Sequence, residues 1–272
     1  MKVVYSAECL EFHRSGHPES PERVEKAAEF LKSKGYEFVR PKKCSKEDLS
    51  SVHSRKLVEK VRKGNFVSMD CPAYDGIYDH ARLSVGGALK AAEINGFSLM
   101  RPPGHHATRN NVGGFCYFNN IAVAVEKLGR RTLVVDVDRH HGNGTQDIFF
   151  GSENVEYVSL HGTGYPGTGF RSEKNCHNHI FREPTGEDKY MKVLDSLLNL
   201  NGKFDILAVS AGFDTYKEDP LASKLSLSTE SYRRVGQRLS ELDLPTFCVL
   251  EGGYNPPELG ENIHSFIQGL NG

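Results

Sequence analysis

Short apolar runs alternate with longer segments of helical apolar spacing along the 272-residue chain. One such segment covers residues 22–35, and Ser20 and Pro21 before it supply an N-cap and a first-turn proline. The same pattern predicts five further helices, over 57–61, 81–95, 119–128, 189–198 and 231–242.

The short apolar runs predict β-strands, since most of them are rich in Val, Ile or Leu. They cover 3–5, 98–100, 132–137, 155–160, 206–210 and 247–250. Strands that alternate with helices along a chain form a parallel sheet covered on both faces. We therefore predict an α/β fold, a three-layer α/β/α sandwich with a central parallel sheet, built by a single domain over residues 1–272.

Reactive residues follow four of the predicted strands almost at once. The four segments are Arg-Pro-Pro-Gly-His-His at 101–106, Asp-Val-Asp-Arg-His-His at 136–141, Ala-Gly-Phe-Asp at 211–214 and Glu-Gly-Gly-Tyr at 251–254. Ligands of open parallel sheets bind outside the carboxyl ends of the strands, where such loops converge. The four segments therefore point to one site.

Asp136, Asp138 and His140 alternate along the end of one predicted strand, and a side-chain period of two sends all three to the same side. Two carboxylates buried there would be strongly unfavourable without a cation. A catalytic zinc ion takes imidazole and carboxylate ligands from three residues and leaves one position for water. Asp138 and His140 supply two ligands, and Asp214, which follows another strand, is the best third.

Asp136 then lacks an obvious coordination position. A carboxylate beside a metal can instead orient a histidine through its ring N–H, and His105 is the candidate partner. Taken alone, Asp214 fits an ordinary turn equally well, and the pair His105-His106 fits a structural or exposed position better than a catalytic one. The neighbouring motifs favour the catalytic interpretation.

Charge and composition exclude some classes of function. The formal net charge is −1, so the chain lacks the basic excess of a protein that binds nucleic acid directly. No run of about 18 apolar residues predicts a membrane segment, and the polar turn at Glu8 is too early for a signal peptide, so we expect a cytoplasmic protein. Six widely spaced cysteines predict reduced thiols rather than disulfides.

Five motifs, in this order, resemble those of the histone deacetylase and acetylpolyamine amidohydrolase family. They lie at 101–106, 113–120 (Gly-Gly-Phe-Cys-Tyr-Phe-Asn-Asn), 136–144 (Asp-Val-Asp-Arg-His-His-Gly-Asn-Gly), 210–214 and 251–254. The resemblance extends from about His13 to the C-terminal helix. It implies an arginase/deacetylase-type fold and an enzyme that hydrolyses the linear amide of an acetylated amine with one catalytic Zn²⁺ ion.

The resemblance also implies a role for each matching residue. The zinc ligands would be Asp138, His140 and Asp214. The catalytic residues would be His105, His106, Tyr254, Asp136 and Asn143, with Asp136 holding His105 and Asn143 holding His106. The residues of the substrate tunnel would be Asp70 at the rim, Gly114, Phe115 and Tyr165. A K⁺ ion would contact Asp136, Asp138, His140, Ser159 and Leu160, and a second, peripheral K⁺ site would involve Phe149, Ser152 and Val155.

Amide hydrolysis by such a site follows from general chemistry. Zinc polarises the acyl oxygen and lowers the pKa of bound water towards ~7. His105 and His106 would position and deprotonate the water, and His106 could protonate the leaving amine. The Gly252-Gly253 pair lets Tyr254 swing towards the metal and donate a hydrogen bond to the oxyanion. Which histidine is the general base, and whether zinc or iron(II) is bound, stay open.

Two residues depart from the family pattern. Arg139 lies between two metal ligands in sequence, but strand alternation predicts that it points away from the metal. Glu251 is read as variation between branches of the family. The resemblance also places Arg23 at an inner channel for acetate, and a second metal site at 176–179 is disfavoured because no strand is predicted there.

Acetylated lysine in proteins is the leading substrate, because Asp70 favours a peptide backbone and no long insertion resembles that of dimeric polyamine-specific relatives. An acetylpolyamine or another small acyl-amine is the alternative. An arginase-like activity fits poorly, since those enzymes lack the Gly-His-His and Gly-Gly-Tyr segments. A catalytically idle acyl-lysine-binding protein is disfavoured by the intact ligand set and Tyr254. Acyl-chain preference and oligomeric state stay open.

Overall fold

Eight parallel strands form one sheet in the computed structural model, which describes residues 1–272. The strands are β1 (Val3–Val4), β2 (Phe38–Val39), β3 (Phe97–Ser98), β4 (Thr132–Asp136), β5 (Val155–Gly162), β6 (Cys176–Phe181), β7 (Ile206–Ala211) and β8 (Thr246–Leu250). Their order across the sheet is β2-β1-β3-β8-β7-β4-β5-β6.

Nine α-helices and one 3-10 helix, Ala7–Leu10, connect the strands. The α-helices are α1 (Pro21–Ser33), α2 (Lys46–Val52), α3 (Arg55–Arg62), α4 (Ile77–Ile94), α5 (Asn120–Leu128), α6 (Asn143–Phe149), α7 (Glu187–Leu198), α8 (Thr229–Ser240) and α9 (Pro256–Leu270). No helix has the length and apolar character needed to cross a membrane. All six cysteines are buried and outside disulfides.

The helices cover both faces of the sheet. Alternate residues of β4 divide between two buried apolar clusters: Leu133 and Val135 belong to the cluster beneath α1, α7, α8 and α9, and Val134 belongs to the cluster beneath α2 to α5. A strand that is apolar on both faces contributes to two cores, as the period of two requires. The predicted three-layer α/β/α sandwich is confirmed.

The predicted helices and strands all form, with ends shifted by a few residues. Ser20 occupies the N-cap of α1 and Pro21 its first turn, but the Ser20 side chain caps no backbone N–H. Sequence analysis missed α2, whose seven residues are too few for a clear periodic pattern. There, Ser45 and Asp48 form a reciprocal capping box.

The prediction that no strand covers 176–179 is wrong. Cys176–Phe181 form the edge strand β6, which pairs with β5 from Tyr157 opposite Cys176 onwards. Four of its six residues are only partly buried, so the segment carries polar side chains that hide the strand in the sequence. The edge position therefore explains the missed assignment.

Strands β3, β8, β7 and β4 are neighbours in the sheet, although they are far apart in the chain. Each of the four reactive segments follows one of these strands. Because parallel strands end at the same edge, the sheet order brings all four segments together. The fold thus places the candidate chemistry at one edge of the sheet.

His53, at the end of α2, is 2% exposed and is held by two backbone groups. Its Nδ1 donates to the carbonyl of Thr108 at 3.0 Å, and its Nε2 accepts from the amide of Asn119 at 2.9 Å. Only the neutral ring satisfies both contacts. Burial accordingly lowers the pKa of His53 to about 4.

We expect His53 to make the fold less stable in acid. The unfolded chain takes up a proton near pH 6.5 and the folded chain only near pH 4, so this stability is complete above pH 6.5 and is lost as the pH falls. Between pH 7 and pH 5 the loss is about 2 kcal/mol. Urea unfolding at both pH values should show a smaller pH dependence for His53→Gln than for the wild type; equal pH dependence would contradict the assignment.

Candidate active site

A cavity of about 260 Å³ lies among the loops at this edge of the sheet. Three of the four reactive segments, 101–106, 136–141 and 251–254, contribute to the lining. The lining residues are Asp70, His106, Gly114, Phe115, His140, Tyr165, Leu221 and Tyr254. Seven of them were singled out from the sequence. Leu221 was not, because an apolar loop residue after Pro220 carries no signal of its own.

Asp138, His140 and Asp214 present one ligand atom each, and these atoms lie within 4.8 Å of one another. Nδ1 of His140 is 3.1 Å from Oδ1 of Asp138 and 2.8 Å from Oδ2 of Asp214. This Asp214 oxygen is buried and takes part in no hydrogen bond of acceptable geometry. A buried carboxylate oxygen without a donor is costly unless a cation meets it.

The remaining oxygens of the two carboxylates are fixed by backbone amides. Gly252 donates to Oδ2 of Asp138 at 2.7 Å, and Arg139 donates to Oδ1 of Asp214 at 2.8 Å. Burial and the nearby charge of Asp138 raise the pKa of Asp214, because the two carboxylates repel one another. One imidazole nitrogen and two carboxylate oxygens are a donor set that fits zinc.

Asp138 and His140 reach this position by a route that the sequence did not predict. Strand β4 ends at Asp136, so strand alternation does not place them. Instead, Oδ1 of Asp136 accepts from the amide of Asp138 at 3.1 Å, and Oδ1 of Asp138 accepts from the amide of His140 at 2.8 Å. Such local carboxylate–amide bonds compete with the strand ladder and bend the chain.

The two adjacent histidines are held from behind by different groups. Nδ1 of His105 donates to Oδ2 of Asp136 at 3.0 Å, and Nδ1 of His106 lies 2.8 Å from Oδ1 of Asn143. The two rings are 4.0 Å apart. Tyr157, which the sequence analysis missed, also donates to Oδ2 of Asp136 at 3.0 Å. Because Tyr157 lies within an apolar strand, its sequence context predicts an ordinary core residue.

Their surroundings drive the two histidines towards different protonation states. Burial opposes the charged form of His105, but the carboxylates of Asp136 and Asp138 outweigh it and raise its pKa to about 10. Burial and the charges of His105 and His140 lower the pKa of His106. Two titratable neighbours with opposite shifts are typical of an acid–base pair.

Glu251 has a structural role that the sequence did not reveal. Its buried carboxylate accepts from the amides of Gly104 and His105, at 2.7 and 3.1 Å. Burial raises its pKa to about 7. The side chain therefore joins the end of β8 to the loop that carries the histidine pair.

Tyr254 lies at the cavity on a tight turn. Gly253 has a φ of 121°, in the region that favours glycine. The guanidinium of Arg23 lies 4.6 Å above the Tyr254 ring, and Nη2 of Arg23 donates to the carbonyl of Glu251 at 2.7 Å. Arg23 therefore supports the turn, while its place beside an inner channel stays a prediction.

Phe115 and Tyr165 lie on the cavity wall as the resemblance implied. The Phe115 ring is 5.8 Å from that of Tyr254, and the Tyr165 ring is 5.0 Å from that of His106. Asp70 lines the cavity beside them, and its Oδ2 accepts from the amide of Gly114 at 2.8 Å. These residues form a slot with aromatic sides.

The residues predicted for potassium lie close to the metal triad. Ser159 faces Asp136 in the β4–β5 register, and its hydroxyl is 2.9 Å from Nδ1 of His161. At the peripheral position, Asn175 donates to the carbonyls of Phe149 and Val155, at 2.9 and 2.8 Å. Both potassium sites stay predictions.

Gly252 offers a test of the triad geometry. A Cβ at this residue would lie 2.5 Å from Oδ2 of Asp138 and 2.7 Å from Oδ2 of Asp214. We expect Gly252→Ala to displace these carboxylates and lower the zinc affinity at least tenfold, measured by competition with a chromophoric chelator. Gly186→Ala is the matched control, because a Cβ there meets nothing within 4 Å. Equal zinc affinity in both variants would contradict this geometry.

Comparison with known proteins agrees with the site. Residues 17–270 match the histone deacetylase domain family. A probable deacetylase of Methanothermobacter thermautotrophicus is 36% identical over 100% of this chain and 91% of its own length. Acetylpolyamine amidohydrolase 1 of Pseudomonas aeruginosa is 37% identical over 73% of this chain, which spans 63% of that protein's length. Histone deacetylase clr3 of Schizosaccharomyces pombe is 32% identical over 94% of this chain and 45% of its own.

Two solved structures show the same fold. The HDA15 HD domain superposes with a TM-score of 0.91 and 30% identity, over 98% of this chain and 86% of that one. Acetylpolyamine aminohydrolase from Burkholderia pseudomallei has a TM-score of 0.91 and 28% identity, over 100% of this chain and 98% of that one. The predicted family and arginase/deacetylase-type fold are confirmed: the chain belongs to the histone deacetylase and acetylpolyamine amidohydrolase family of hydrolases.

Proposed function

We propose that the chain is a zinc-dependent deacetylase that hydrolyses the amide of N-ε-acetyl-lysine in proteins, and that residues 1–272 form one catalytic domain. The observation that carries this proposal is the single cavity in which His106, the metal-ligand candidate His140 and Tyr254 all meet beside an aromatic slot. Each group has a separate use in amide hydrolysis.

Asp138, His140 and Asp214 would hold the zinc ion. When bound, zinc supplies a Lewis acid that polarises the acyl oxygen and acidifies water. The family is zinc-dependent, and the donorless oxygen of Asp214 supports a cation there. A K⁺ ion at Asp136, Ser159 and Leu160, together with Asp138 and His140, is a further proposal that would offset the same carboxylate charge.

His106 is our candidate for the general base. With Oδ1 of Asn143 as acceptor, the ring proton lies on Nδ1, and Nε2 is free to take a proton from the attacking water. The lowered pKa keeps the ring neutral until it receives that proton. The same nitrogen can then protonate the leaving amine. His105, held by Asp136, would help to position the same water.

The shape of the cavity supports a slender substrate. Phe115 and Tyr165 would enclose the methylene chain of a lysine side chain by apolar contact. Asp70 is the sole carboxylate in the lining, so the mouth has little to attract a polycation. A small acetylated amine is the second candidate substrate, because some relatives are named acetylpolyamine amidohydrolases.

Tyr254→Phe tests the proposed mechanism. Removal of one oxyanion donor typically costs about 100-fold in kcat, and we expect a loss of that size on a fluorogenic acetyl-lysine peptide. Tyr36→Phe is the matched control, since its hydroxyl contacts His264 on another part of the surface. A chelator should abolish the activity of both the wild type and the control Tyr36→Phe.

The choice of substrate separates the alternatives. Turnover of N-acetylated polyamines without turnover of the peptide would move the chain to the amidohydrolase branch. A zinc-loaded protein that turns over neither would contradict the acetyl assignment and favour an idle acyl-lysine-binding protein. Full activity of Tyr254→Phe would remove Tyr254 from the mechanism.

A further inference from the structure

Arg139 fastens three loops behind one wall of the cavity. Its Nη1 lies 2.8 Å from Nε2 of His140, its Nε donates to the carbonyl of Ala222 at 3.0 Å, and its Nη2 donates to the carbonyl of Thr163 at 3.2 Å. Arg139 was expected to point away from the metal, and its guanidinium meets Nε2 of His140, on the side of the ring opposite the atom Nδ1 that faces Asp138 and Asp214. The strand ends before Arg139, so alternation does not direct its side chain.

All three segments border the cavity. His140 lines it directly, Ala222 follows the lining residue Leu221, and Thr163 precedes the lining residue Tyr165 by two positions. The planar guanidinium presents several N–H donors to the wall at once, which a lysine ammonium does not do in a fixed geometry. Arg139 fixes the relative positions of the metal-ligand candidate and two parts of the slot.

The positive charge of Arg139 has no carboxylate partner. Its acceptors are the carbonyl oxygens of Ala222 and Thr163, and its third neighbour is the ring of His140. The nearby carboxylates of Asp138 and Asp214 would be neutralised by a divalent cation in the triad. A fixed positive charge therefore lies beside the substrate slot.

Acetylated amines differ in the charge that they bring to this wall. In acetyl-lysine, the four methylenes beyond the amide end at the uncharged Cα of a peptide. In an acetylpolyamine, three or four methylenes end at an ammonium group. Salt only partly screens two charges that lie within the Debye length, ~10 Å at 0.1 M ionic strength.

Asp70 offers limited compensation for this repulsion. Its Oδ2 already accepts from the amide of Gly114 at 2.8 Å, and its Oδ1 from the hydroxyl of Ser68 at 2.5 Å. At the slot, the Asp70 carboxylate already accepts two hydrogen bonds, whereas the Arg139 guanidinium has no carboxylate partner. A second ammonium on the substrate gains little there and is repelled by Arg139.

We propose that Arg139 is a specificity-determining residue, whose wall-bound guanidinium disfavours acylated amines that carry a second ammonium near the amide. The inference rests on the proposed function, since it names which substrates of that site are rejected. It favours an acyl-lysine in an uncharged peptide, rather than an acylated polyamine, as the substrate.

Two hydroxamates of equal length, one ending in a methyl group and the other in an ammonium group, test the inference without turnover. Heptanohydroxamate and 6-aminohexanohydroxamate have the same number of chain atoms, and calorimetry on the zinc-loaded protein gives their Kd values. We expect the wild type to bind the uncharged compound about tenfold more tightly at low salt, with a smaller ratio at 0.5 M NaCl. Measured zinc content would confirm that each variant keeps its metal.

Two substitutions separate the charge of Arg139 from its hydrogen bonds. Arg139→Lys keeps the charge and should keep most of the tenfold ratio. The loss of the planar guanidinium should weaken the binding of both compounds. Arg139→Gln keeps a donor but removes the charge, and its ratio should fall to about one. Arg234→Gln is the control, since Arg234 pairs with Glu187 on the exposed face of α8.

A ratio in Arg139→Gln equal to that of the wild type would overturn the inference, as would tighter wild-type binding of the ammonium compound. Failure of the proposed function has a different signature. In that case the zinc-loaded wild type would not hydrolyse an acetyl-lysine peptide, whatever the two Kd values are.

Discussion

Two carboxylates, those of Asp138 and Asp214, are buried side by side at the edge of the sheet, and the rest of the site depends on this placement. Neither side chain is exposed, and one oxygen of Asp214 has no donor. Burial of like charges is tolerated in proteins only where positive charge offsets it. The proposed zinc ion beside His140 would supply that charge.

The loops around these carboxylates are tied to one another rather than to the sheet alone. Gly252 donates to Asp138, and Glu251 in the same segment accepts from the loop of His105. Asp136 bends the chain into the ligand position and also orients His105. Because most of these contacts join segments from different strands, the metal-ligand candidates, the histidine pair and the Tyr254 turn are positioned together.

Much of this arrangement could be predicted from the sequence, since it follows from chain order and strand ends. The alternation of strands with helices gave the layers, and the reactive residues that follow four strands gave the common site. The five motifs identified the family. The residues brought together by the fold include every member of the triad and both histidine partners, although their roles stay proposals.

Other features depend on contacts between distant segments, which a single sequence does not encode in any local pattern. Tyr157 looks like a core residue of β5 until its hydroxyl is seen to reach Asp136. Arg139 was placed by strand alternation, and the bend after Asp136 removes the basis for that argument. Edge strand β6 was missed because its exposed face is polar.

Diffraction data collected on either side of the zinc absorption edge would test the proposed metal site. If the three residues hold zinc, one anomalous peak lies at about 2.0–2.2 Å from Nδ1 of His140 and from an oxygen of each of Asp138 and Asp214. No peak in zinc-loaded crystals, or a peak held by residues other than these three, would contradict it.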